Sequence, residues 1–257
     1  MNLVKTYLTN NPCYKANVGR VDGRYRTFQD RGPTGLMLHS VGCAQPSAQV
    51  FVDNWNKPSY TAACVHAFID ANTGVIYQCM PWNYRGWHSG KSETNNTMVG
   101  VEMCESCYIR YTKGATFEVL DAEKAKADCK RAYDAAVELF ADLCKKFGLN
   151  PLTAIISHNE GGVRGIASKH VDPEHYWTRL GMPYTMDTFR QAVKAKLDGD
   201  TLDTPVTGGA AYADYESPFR VIIGAFSNPR NALAYRDGAR QYYPVAYITD
   251  KNGRVLK

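Results

Sequence analysis

The chain has 257 residues, 44% of them hydrophobic and 21% charged, the balance of an ordinary folded protein rather than a disordered or fibrous one. That length supports one sizeable core with a small appendage. Lys and Arg exceed Asp and Glu by only 30 to 25 with no basic run, which argues against nucleic acid as a partner. No stretch approaches the roughly 20 apolar residues that cross a bilayer, so no membrane insertion is expected.

In chain order, the opening MNLVKTYLTNNPCYK lacks the apolar core of a secretory signal, and synthesis in the cytosol is the expectation. The eight cysteines, at 13, 43, 64, 79, 104, 107, 129 and 144, then read as reduced thiols, mostly buried small hydrophobes. GLMLHS at 35–40 is a short apolar run after a Gly-Pro-Thr-Gly turn, the pattern of a buried strand that ends at a polar site, with His39 at its end. Further strand signals are CVHAFID, GVIYQCM and MVGVEMC. Together they predict a central sheet. From Asp121 to Phe147 apolar residues recur in steps of three and four, at 122, 125, 129, 132, 136, 139, 143 and 147, and Gly148 follows as a stop, which predicts a long helix with Cys129 on its apolar stripe.

LTAIISH then repeats the design of GLMLHS, an apolar strand delivering His158 into polar sequence, and MDTFRQAVKAKL reads as a surface helix. Residues 198–217, rich in Asp, Thr, Gly and Ala without periodicity, read as a linker between a domain at 1–197 and a segment at 218–257. In that last segment FRVIIGAF, SNPRNALAYRDGARQ and YYPVAYIT read as strand, helix and strand, with Ser227 as a candidate N-cap.

A mononuclear zinc hydrolase needs three ligands drawn from His, Asp, Glu or Cys and an open fourth position. His39 and His158, both at strand ends, are the histidines best placed to converge, although a histidine there is more often simply structural. Glu102, within an apolar strand, is costly to bury unless paired or functional; its plain alternative is the solvent face of an edge strand. Asp172 reads from position alone as an N-cap of PEHYWTRL. Cys104 and Cys107 have CxxC spacing without a second such pair and read as structural.

The strings GLMLHS, VHAFID, WHSG, NNTMVGVEMCE and ISHNEGGVRGIASKHVDPEHYW, in that order over roughly residues 1–195, resemble the zinc-dependent N-acetylmuramoyl-L-alanine amidases called type 2 amidases, in particular the amidase domains of phage endolysins from Gram-positive hosts. The resemblance implies an α/β fold, a central mixed β-sheet flanked by helices, plus a small C-terminal βαβ segment. It implies Zn²⁺ held by His39, His158 and Asp172, with Glu102 moving the proton of the attacking water. His170 falls where many relatives carry a lysine that steadies the oxyanion; a protonated histidine would serve the same end. His88 and Trp87, in GWHSG, fall near the family's substrate, Trp87 as a stacking surface for sugar. His66 matches a recurrent family histidine and is assigned no catalytic role. The implied substrate is bacterial peptidoglycan, reached at the cell wall after release from the cytoplasm. A host autolysin, a cysteine-based wall peptidase and a non-catalytic peptidoglycan-binding module are the alternatives. The tail resembles the first half of a SPOR-type wall-binding repeat, which leaves a dimer through this segment open.

Overall fold

The computed structural model describes residues 1–18, 32–199, 248–249 and 255–256. The chain divides into two units, Met1–Thr204 and Pro205–Lys257. The first carries strands β1 (Leu3–Lys5), β2 (Gly35–Ser40), β3 (Ala67–Ile69), β4 (Ile76–Gln78), β5 (Met98–Met103), β6 (Ile109–Lys113), β7 (Thr116–Val119) and β8 (Ile155–Ser157). Its helices are α1 (Pro12–Asn17), α2 (Ala48–Trp55), α3 (Ser92–Asn95), α4 (Ala122–Phe147), α5 (Pro151–Ala154), α6 (His158–Val163), α7 (Glu174–Leu180) and α8 (Met186–Leu197). Six strands form one sheet in the order β1-β4-β3-β5-β2-β8, parallel throughout except for the β3–β4 pair. The fold is therefore α/β with a central mixed sheet flanked by helices, as expected.

The middle strands explain their own sequence. β2 is buried at all six residues, because a strand with parallel neighbours on both sides and helices on both faces has no solvent face to alternate with. Register pairs Leu36 with Val99, Leu38 with Val101 and His39 with Glu102. Because side chains alternate, Leu36, Leu38, Val99 and Val101 turn together into the main core, while Met37, His39, Gly100 and Glu102 turn to the opposite face. α2 packs on the face of Glu102, where Phe51 stacks on Phe68, the register partner of Glu102 on β3, at 5.0 Å between ring centroids.

α4 is the helix expected over 121–147. Asp121 caps it by accepting from Lys124 N, and Gly148 ends it in the left-handed region at φ 64°. Its buried face is wider than the one stripe read from sequence: Tyr133, Val137, Phe140 and Cys144 are buried as well, whereas Ala122 is exposed. The reason is that α4 packs on the sheet and, on a second side, against α7 and α8, where Tyr133 stacks on Tyr184 at 3.8 Å and Phe140 meets Phe189 edge-on at 5.2 Å. Six of the eight cysteines are buried and none is bonded to another; Cys43 and Cys107 are exposed. No helix among the described residues is long and apolar enough to cross a membrane.

In the second unit β9 (Ile248–Thr249) pairs antiparallel with β10 (Val255–Leu256). β9 closes the run YYPVAYIT. The expected strand FRVIIGAF, the helix with Ser227 at its cap, and the linker beyond residue 199 lie outside the described residues, so the SPOR-like reading and a dimer through this segment rest on sequence alone.

Candidate metal and catalytic centre

The centre sits where β2, β5 and β8 end. β2 delivers His39; β8 stops at Ser157, which caps α6, so that His158 is the first residue of the helix. The sequence Ser-His-Asn-Glu closes a capping box: Ser157 Oγ accepts from Glu160 N at 2.9 Å, and Ser157 N donates to Glu160 Oε2 at 3.2 Å. Arg190 on α8 grips the same Glu160 with two donors at 2.9 and 3.0 Å, which fixes the start of α6 and with it His158. Asp172 lies in the segment before α7. It does not cap that helix, whose N-cap is Pro173; its carboxylate turns inward instead.

The three side chains converge. His39 Nδ1 and His158 Nδ1 are 3.0 Å apart, His39 Nδ1 is 3.4 Å from Asp172 Oδ2, and His158 Nδ1 is 3.7 Å from Asp172 Oδ1. All three residues are buried. With zinc–nitrogen and zinc–oxygen bonds of about 2.0–2.1 Å, the edge of a tetrahedron is roughly 3.4 Å, so these spacings are those of one face of a tetrahedral ion site. Burial, with His39 beside it, pushes His158 down to about 3, which keeps its ring neutral. Burial works against the charge of Asp172, but the neighbouring His170 and His39 outweigh it and hold the carboxyl well below the usual range.

Glu102 is next to His39 in register on β5, a central strand and not an edge, so the solvent-face alternative does not hold. Its Oε2 is buried without a hydrogen-bond partner, and burial, followed by the charges of Asp172 and Glu105, raises its affinity for a proton well above normal. His170 is exposed and stacks on His158 at 4.1 Å, its Nδ1 3.5 Å from Asp172 Oδ1; that hydrogen bond raises its pKa.

His39, His158 and Asp172 meet in the interior, and His158, Asp172, Glu102, His170 and His88 all line one cleft of about 450 Å³. A larger groove of about 560 Å³, between β1 and the end of α4, holds one carboxylate, Asp142, and no histidine. Trp87 is outside the cleft lining: it pairs with Cys64 through both backbone bonds and packs half-buried against the core. His66 is a satisfied core histidine, accepting from Gly100 N at 3.0 Å and bonded to the Tyr84 carbonyl at 2.8 Å. Cys104 is buried and Cys107 exposed.

The cleft also has a wall that sequence reading missed. Tyr111 Oη donates to Glu105 Oε2 at 2.6 Å and lies 2.8 Å from His175 Nε2, while Gly42 N donates to Glu105 Oε1 at 3.2 Å. A second acid three residues after Glu102 was the only hint. Burial, resisted by the Tyr111 hydrogen bond, pushes Glu105 up to about 7 from 4.5. The folded state therefore prefers the protonated acid, and this contribution to stability is complete below about pH 4.5 and lost as pH rises to about 7. Holding the charge above that costs at most about 3 kcal/mol. Glu105→Gln is accordingly expected to raise the melting temperature by about 5 °C at pH 8 and to leave it unchanged or lower at pH 4.5, both measured in chelator; equal shifts at the two pH values would contradict this.

A mixed α/β sheet with histidines and carboxylates gathered at the ends of its central strands makes a cluster that could hold a metal ion. Residues 29–175, more than half of the chain, match the family model Amidase_2, N-acetylmuramoyl-L-alanine amidase, and the chain belongs to this family. Among solved structures it is similar to the Staphylococcus aureus hydrolase AmiA in complex with its ligand, at 18% identity and a TM-score of 0.56, over 77% of this chain and 83% of that one. It is also similar to the catalytic domain of XlyA (18%, TM-score 0.51) and to a mutant endolysin from Bacillus subtilis (18%, TM-score 0.50), each over 75% of this chain and 99% of the other. These likenesses establish the fold. No curated protein matches the chain.

Proposed function

We propose that this protein is a zinc-dependent amidase that cleaves the bond between N-acetylmuramic acid and L-alanine in bacterial peptidoglycan, acting as an endolysin. The observation that carries this reading is the meeting of two imidazole Nδ1 atoms and a depressed carboxylate within 3.0–3.7 Å, beside a glutamate whose buried oxygen has no partner. Lone pairs so gathered repel one another unless a cation lies among them, and two histidines with one carboxylate are a donor set suited to zinc with a position left open. Family membership and the likeness to a Bacillus subtilis endolysin support the substrate and the lytic role.

A zinc ion held by His39, His158 and Asp172 would polarise the scissile lactyl carbonyl and acidify the attacking water. Glu102 Oε2 takes the proton from that water as its oxygen bonds to the carbonyl carbon, and gives it to the alanine nitrogen as the C–N bond breaks. His170, whose affinity for a proton Asp172 raises, faces the cleft and donates to the oxygen that becomes negative. A cysteine-based mechanism has little support: among the described residues no cysteine lines the cleft.

The test is release of stem peptide from purified peptidoglycan, with new N-terminal alanine measured before chelation, after it, and after zinc is restored. Alanine should appear, fall to background with chelator and return with zinc. Release of reducing sugar or other amino termini, or indifference to chelator together with loss on thiol alkylation, would overturn the proposal.

A further inference from the structure

The GWHSG segment reads from sequence as a substrate contact, yet its bonds run toward the histidine ligands. His88 Nε2 lies 3.1 Å from the carbonyl of Met98, which only accepts, so that nitrogen carries the proton and His88 Nδ1 is left as an acceptor. His88 Nδ1 is 3.0 Å from His39 Nε2, which must then be the donor, and His39 Nδ1 is left with a bare lone pair facing Asp172. A matching chain serves the other histidine. Ser168 Oγ lies 3.3 Å from the carbonyl of Ser89 and donates to it, and its oxygen, 3.0 Å from His158 Nε2, accepts from that ring, so His158 Nδ1 is bare as well. Ser168 N donates to the same Ser89 carbonyl at 2.8 Å, which holds the serine in place.

Both chains end on backbone carbonyls, those of Met98 and Ser89, which cannot change protonation, and both pass through one loop that carries His88 and Ser89. His88 has no room to move: a Cβ on Gly100 would meet its ring at 2.4–2.7 Å, so the ring lies flat on a strand position that only glycine supplies. Asn95 Oδ1 accepts from His88 N and Ser89 N, both at 2.9 Å, and clamps the loop.

We propose that His88 and Ser168, the latter held by the Ser89 carbonyl, are positioning residues that fix the tautomers of His39 and His158, so that both rings offer Nδ1 to the metal, and that His88 is not a substrate contact. This rests on the zinc reading above. A residue that orients a metal-bound histidine is typically worth 10–100-fold in metal affinity.

The experiment measures zinc affinity by competition with a chromophoric chelator for the full chain and for His88→Ala, His88→Asn and Ser168→Ala. Long-range ¹⁵N–¹H spectra of the imidazoles of the zinc-loaded wild-type protein accompany it. His88→Ala should weaken zinc 10–100-fold with KM for peptidoglycan fragments unchanged at saturating zinc. His88→Asn should recover most of the loss, because its Oδ1 stands near the former Nδ1 and still accepts from His39. Ser168→Ala should weaken zinc about 10-fold. The wild-type spectra should show His39 and His158 as Nε2–H tautomers, a readout that no folding defect of a variant affects. A raised KM with zinc affinity within 2-fold, no recovery by asparagine, or a Nδ1–H tautomer for His39 overturns the proposal. Failure of the wild-type protein to bind zinc at all would instead remove the metal reading on which it stands.

Discussion

Glu102→Gln is expected to lower kcat for alanine release about 10³-fold, within the range that a positioned proton-transfer group contributes, while zinc affinity stays within 2-fold of wild type. The substitution keeps shape and burial and removes only the ability to take a proton. Glu102 suits that task because its Oε2 is buried, has no partner and holds a proton more tightly than an ordinary glutamate. It also suits it by position, since β-sheet register sets it directly beside His39 on a strand buried between two others. Single-turnover release of N-terminal alanine, measured alongside zinc competition, separates the outcomes. A loss under 10-fold would remove Glu102 from the chemistry, and an equal loss of zinc would make it a ligand.

Asp172→Ala should go further and abolish measurable alanine release, with zinc bound more than 100-fold more weakly, beyond the loss expected for a residue that merely orients a ligand. The carboxylate is the sole anion of the donor set, and His39, His158 and His170 all lie within 3.4–3.7 Å of it. Without it the two buried imidazoles of His39 and His158 are left with no anionic partner in the donor set. Zinc competition and zinc content after gel filtration give the answer; a variant that retains zinc at wild-type affinity would mean that another group completes the set.

The parts of the fold legible in the sequence are those whose burial is one-sided or complete. GLMLHS and MVGVEMC were readable as strands because central parallel strands show as unbroken apolar runs. The β6–β7 hairpin was not, because its two strands keep only Ile109 and Phe117 buried and so carry almost no pattern. CVHAFID and GVIYQCM were read as seven-residue strands and yield three residues each, since Cys64 and His66 spend their backbone bonds on Trp87 and on Gly100 and Cys79 instead of on a regular ladder. At the site, His39 and His158 could be suspected from strand ends, but Asp172 needed the family likeness, because Asp-Pro before a helical run is equally good sequence for a cap. Glu105, Tyr111 and His175 escaped notice since their contact spans up to 64 residues and no local spacing announces it. Gly100 was the overlooked sign: a glycine inside an apolar strand marks something lying against the backbone, here the ring of His88.

The order of the central strands also bears on how the protein is made. His39 and His158 are 119 residues apart and come together only when β8 docks against β2, a non-local parallel pairing of the kind that forms late. Asp172 arrives later still along the chain. A chain that has not yet reached residue 172 therefore lacks part of the donor set, which is assembled only in the finished sheet. Assembly of the His39, His158 and Asp172 cluster and completion of the fold coincide, so an incompletely synthesised chain has no such cluster with which to act.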